Sequence, residues 1–81
     1  MDYVGGLRHV EGRNFHPDAE TIGDAVRDGI GVLLDLSHAA TDAKRRLIDF
    51  ASGACYSRHW AMARAGRDAF RLTPPRSRSR N

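Results

Sequence analysis

Cys55 is the only cysteine in this sequence, so no disulfide can form within one chain and the disulfide-stapled secreted scaffolds are excluded. Long hydrophobic runs are missing too. No window approaches the ~20 apolar residues of a membrane span. The N-terminus lacks the apolar stretch of a signal peptide, and the cytoplasm is the expected compartment. The four histidines, His9, His16, His38 and His59, are scattered. They form no H-x-x-x-H pair and there is no C-x-x-C, so no metal and no other cofactor is expected. Nor is there a glycine-rich phosphate loop or a pair of carboxylates that can be placed in a cleft. The only nucleophile–base combinations are Asp35 with His38 and Cys55 with His59. The second pair, four residues apart, shares a face only if a helix runs through both. No catalytic residue, enzyme activity or small-molecule substrate is expected.

What the chain has is enough for one small domain. A chain of 81 residues buries only about 60% of its unfolded surface, which leaves a marginal core. With disulfides and metal set aside, oligomerisation is the remaining source of stability, and a homodimer is expected. The 13 Lys and Arg against 10 Asp and Glu give a formal charge of +3. Arg76, Arg78 and Arg80 of the terminal serine-interleaved stretch account for that excess. The rest is nearly neutral, so a nucleic-acid face is not expected of the folded part. A small basic nucleic-acid-binding protein, using that tail with Lys44, Arg45 and Arg46, is the alternative in a different class.

Three divisions follow: residues 1–12 as a flexible N-terminus with the Gly5–Gly6 pair, 13–75 as the globular domain, and 76–81 as a basic Arg/Ser tail. Residues 7–15 alternate imperfectly and read as a weak edge strand, broken or bulged at Gly12. His16, Pro17 and Asp18 signal a helix start, and Ala19, Ile22, Gly23 and Val26 recur at helical spacing up to the Asp28–Gly29 turn. The apolar run at 30–34 with Leu36 suits a strand covered on both faces. A second helix begins at Thr41 or Asp42, either of which can cap it, and runs to about Tyr56. Its inner stripe is Ala43, Leu47, Ile48, Ala51 and Cys55. Two short strands, at 58–64 and 69–73, flank a turn at 65–68 with Gly66. The order β-α-β-α-β-β predicts an α+β two-layer sandwich, two helices on a small mixed sheet.

Several of these segments together resemble one known family. They are AETIG at residues 19–23, RDG at 27–29, VLLDL at 32–36, DAKR at 42–45, LIDFASG at 47–53 and AFRLTP at 69–74. In this order and spacing they are similar to the globular domain of the SepF family, bacterial cell-division proteins that link the tubulin-like FtsZ to the membrane. The likeness covers roughly residues 14–74. It implies a binding module that dimerises through its second helix, with Leu47, Phe50, Ala51, Gly53 and Ala54 as interface positions. It further implies a groove at the dimer for the FtsZ C-terminal tail, a short acidic and hydrophobic peptide. Arg64 falls where a basic residue of that groove is expected and Phe70 where an aromatic one is. Action at the division septum, through partners, is the implied location.

The chain also departs from the family. Only about a dozen residues precede the match, with no amphipathic helix, so no direct membrane anchor is expected in it. The family's last strand is replaced by Pro75 and the tail, and residues 57–64 lose the family's apolar alternation. Pairing with a full-length SepF, or capping SepF polymers without FtsZ binding, are therefore alternative roles. Two residues carry double readings. Gly53 marks either the close approach of a second subunit or room for the sheet within one chain. Trp60, among Arg58, His59 and Arg64, is either a surface anchor or a core residue.

Overall fold

The computed structural model describes residues 3–75. Strands β1 (Tyr3–Val4) and β2 (Leu7–Glu11) lead into helix α1 (Phe15–Arg27). Then follow β3 (Val32–Asp35), α2 (Thr41–Ser57), β4 (Ala61–Gly66) and β5 (Ala69–Thr73). The strands form a single mixed sheet in the order β1-β2-β3-β5-β4. Only β2 and β3 are parallel, with α1 as the crossover between them; the other pairs are antiparallel. This is the expected α+β sandwich with one strand more than foreseen.

Alternation along β3 sets the two faces. Val32 and Leu34 are fully buried under the helices, while Leu33 and Asp35 are half-buried on the uncovered side. Residues directly opposite one another in a ladder share a face. The covered face therefore runs from Val10, opposite Leu34, to Phe70 and Leu72, opposite Leu34 and Val32, and on to Met62 and Arg64 of β4. Ala19, Ile22, Ala25 and Val26 of α1 and Leu47, Ala51 and Cys55 of α2 close over it. These are the stripes that helical periodicity marks out.

The N-terminal third corrects the sequence reading. Within residues 1–12, expected to be flexible, Tyr3–Val4 and Leu7–Glu11 form β1 and β2, with Gly5 and Gly6 at positive φ making a tight hairpin between them. Strand β2 is interior, between β1 and β3, not an edge. Gly12 is the break, since β2 ends at Glu11 just before it. Its N–H donates to the Asp35 carbonyl at 2.8 Å, and a Cβ there would lie 2.6 Å from Leu36 Cδ2 and 3.0 Å from Leu47 Cδ1. Gly12 is thus a crowded glycine, as is Gly31, where a Cβ would lie 2.6 Å from Leu7 Cδ2 and 3.2 Å from the Leu72 carbonyl oxygen.

Helix starts also differ in detail. Ala40, not Thr41 or Asp42, occupies the N-cap of α2, and no side-chain oxygen caps it. Asp42 sits in the first turn instead, where its charge complements the helix dipole. At α1 the Asp18 carboxylate reaches back to accept from the Arg13 and Asn14 N–H groups at 2.6 and 2.9 Å. Helix α2 ends as His59 enters the left-handed region at φ 61 and the Trp60 N–H donates to the Cys55 carbonyl at 2.8 Å. That reversal uses residues up to 60, so β4 starts at Ala61 and the turn falls at Arg67 and Asp68.

Candidate functional site

Near the turn of the β4–β5 hairpin, Arg64 of β4 stands directly opposite Phe70 of β5. The guanidinium lies over the ring, 5.2 Å from its centroid, a cation–π geometry. A 2.6 Å hydrogen bond from Arg64 Nη1 to the Arg67 carbonyl holds it in place. Phe70 is half-buried, packed against the core on one side, while Arg64 is exposed. A fixed cation with its remaining donors facing solvent thus borders an accessible aromatic surface. Nearby on the same face, Trp60 and Met62 are also partly buried against the core, so Trp60 is mostly packed inward.

The second helix divides the residues expected at a dimer contact. Leu47 and Ala51 are fully buried within this chain and offer nothing to a second copy unless the core opens. Phe50 is half-buried, with its ring edge-on to Phe15 at 6.1 Å, and Ala54 is half-buried as well. Gly53 is exposed, and a Cβ built there meets nothing within 4 Å. The reading of Gly53 as room for this chain's own sheet is therefore overturned. Tyr56 and the groove on the outward side of α2 were not marked by periodicity. Tyr56 stands 86% exposed, and Thr41, Lys44, Arg45, Ile48 and Asp49 line a shallow groove of about 260 Å³.

Two of the three basic residues on α2 are engaged within the chain. Lys44 pairs with Asp68 at 3.3 Å, tying α2 to the hairpin turn, and the Arg46 guanidinium covers the Phe15 ring at 4.2 Å. Of the three, Lys44 and Arg45 border the groove. The Arg/Ser tail at 76–81 lies outside the described residues.

Cys55 and His59 are not assembled as a nucleophile–base pair, whereas Asp35 and His38 both contact the Ser37 hydroxyl, at 2.8 and 3.3 Å. Burial pushes the Cys55 thiol pKa up, which disfavours the thiolate that reacts. Helix α2 ends at Ser57, so His59 does not continue the face of Cys55. Asp35 accepts from the Ser37 N–H at 3.0 Å and from its hydroxyl at 2.8 Å. These bonds, the backbone one first, hold its carboxyl below the ordinary carboxylate range. A second concavity, about 200 Å³ between Arg8, Asp24 and Asp28, touches neither Arg64 nor Phe70. No helix among the described residues is long and apolar enough to cross a membrane.

Comparison with known proteins gives one consistent match. A family model described as cell division protein SepF fits residues 10–78. A protein named cell division protein SepF 1 from Streptomyces avermitilis is 39% identical over 62 residues, 76% of this chain and 46% of its own length. One from Kocuria rhizophila, named cell division protein SepF, is 39% identical over 57 residues, 70% of this chain and 33% of its own. A further SepF, from Renibacterium salmoninarum, is 32% identical over 77 residues, 90% of this chain and 44% of its own. The chain thus spans a third to a half of the length of these curated relatives.

Proposed function

The chain belongs to the SepF family of cell division proteins, and from that premise we propose that it is a binding module for the FtsZ C-terminal tail, working as a homodimer. The observation that carries this reading is the Arg64–Phe70 pair. Two side chains that the family resemblance marks independently occupy opposed positions in one hairpin, one stacked on the other. An acidic, apolar peptide is met there by both chemistries at once: the guanidinium takes a carboxylate while the exposed part of the ring takes an aliphatic side chain.

The groove that receives the peptide is completed by a second copy. Within one chain, neither of the two concavities described includes Arg64 or Phe70. The outward side of α2, with Gly53 flanked by Phe50 and Tyr56, is the face offered to that copy. A bare backbone permits close approach there. The same face serves for pairing with a longer SepF chain, which would bring this one to the septum through its partner.

Titration of a labelled FtsZ C-terminal peptide tests the reading. Micromolar binding is expected, weakened about tenfold or more by Arg64→Glu. Phe70→Leu, which keeps an apolar side chain in the core, should weaken it as well. Equal affinity for the wild type and both variants would overturn the site. Absence of any binding by a properly folded dimer would leave pairing with a longer SepF as the function.

A further inference from the structure

The uncovered face of the sheet carries a cluster that sequence spacing did not reveal. His9 and Glu11 sit at alternate positions of β2 and so share that face. Asp35 of the neighbouring β3 is directly opposite Glu11 in the parallel register. One donor atom from each of the three lies within 4.8 Å of the other two, and His9 Nε2 is 3.9 Å from Asp35 Oδ2. The helices lie on the opposite side, so the cluster is open to solvent, with His9 and Asp35 side chains 31% exposed.

We infer that His9, Glu11 and Asp35 form a binding site for a divalent transition-metal ion of the zinc class. One imidazole nitrogen with two carboxylate oxygens is a donor set for such ions, and water completes the coordination. The second carboxylate is what an ordinary ion pair does not account for. Like charges directly opposite on adjacent strands repel; without a metal, His9, 3.9 Å from Asp35, and the Arg13 guanidinium, 3.5 Å from Glu11, stand against them. A dication between the carboxylates removes the repulsion.

Asp35 is oriented for that role. Its Oδ1 is taken up by both Ser37 donors, which leaves Oδ2, the atom nearer His9, for the ion. Such outer hydrogen bonds to a ligating carboxylate fix its direction. Ligand atoms around zinc stand about 3.5 Å apart, so the cluster closes by about 1 Å when occupied. Rotation of Glu11 supplies that closure, because its described partner is an exposed ion pair of little energetic weight. Both strands are laddered into the sheet, so the platform itself is already built.

Calorimetric titration of the whole chain with zinc chloride, in a buffer that does not chelate, tests the site. One ion per chain is expected at micromolar affinity, weakened about tenfold or more in His9→Ala and in Asp35→Asn, and unchanged in His16→Ala. In the unaltered protein, substoichiometric Mn²⁺ should broaden the His9 ring resonances before those of His16, His38 and His59. This second readout does not depend on a variant folding. Binding weaker than millimolar, or unchanged in His9→Ala, would overturn the assignment. So would broadening that begins at another histidine.

Discussion

Arg64 and Phe70 face each other across the β4–β5 ladder with the guanidinium 5.2 Å from the ring centroid. In the proposed reading this contact serves twice. It caps the ring on the side that the core leaves open, and it presents a held cation where a peptide carboxylate can meet it. An exposed stack of this kind contributes about 0.5–1 kcal/mol. Arg64→Glu should therefore lower unfolding stability by no more than about 1 kcal/mol in urea, while peptide affinity falls much further. Equal losses in both would mean that the arginine is structural.

Gly12 and Gly53 respond to the same substitution with opposite signs. At Gly12 an added methyl runs into Leu36 and Leu47, both fully buried. Overpacking of that kind costs about 1–3 kcal/mol. At Gly53 the methyl meets nothing, and alanine in a helix gains about 1 kcal/mol over glycine. Urea unfolding at low protein concentration should show Gly12→Ala less stable and Gly53→Ala more stable than the parent. The proposed dimer should dissociate more readily in Gly53→Ala, as read by sedimentation equilibrium, because the close approach is blocked.

His59 holds a left-handed backbone without being glycine. That conformation costs about 1–2 kcal/mol for a residue with a Cβ. As the side chain is exposed, His59→Gly should raise the melting temperature by about 5 °C. An unchanged or lowered value in a thermal scan would mean that the imidazole makes a compensating contact.

The Asp35 carboxyl is held below its ordinary range by the Ser37 bonds, backbone first. A folded-state pKa lowered in this way stabilises the protein above the unfolded value, and the contribution is lost as pH falls through the folded one. In buffer containing a chelator, the wild type should therefore be more stable than Asp35→Asn at neutral pH. The gap should narrow as pH falls through the ordinary carboxylate value toward the lower folded one. A gap that stays constant down to the acid limit would contradict the assignment.

Legibility in the sequence followed the range of the interactions involved. Helix α2 and strand β3 were readable because a stripe of Leu47, Ala51 and Cys55 and an unbroken apolar run are local patterns. Strand β2 was not. Arg8 occupies a covered-face position beside Val10, which spoils the alternation, and the strand is defined by its parallel pairing with β3. Gly12 and Gly53 could not be told apart either, since crowding at Gly12 comes from Leu36 and Leu47, distant in the chain. The family resemblance marked Arg64 and Phe70 singly. Their juxtaposition depends on a turn at Arg67 and Asp68, later than the glycine signal placed it. His9, Glu11 and Asp35 are separated in sequence by α1, and only the register assembles them.

The most direct test of the central claim is a backbone amide NMR titration of the isotope-labelled chain with the FtsZ C-terminal peptide. The account predicts the largest shifts at residues 61–73 of the hairpin, centred on Arg64 and Phe70, with smaller ones along the outward side of α2. Shifts confined to the uncovered face of β2 and β3, or none at a peptide excess that saturates a known SepF, would contradict it.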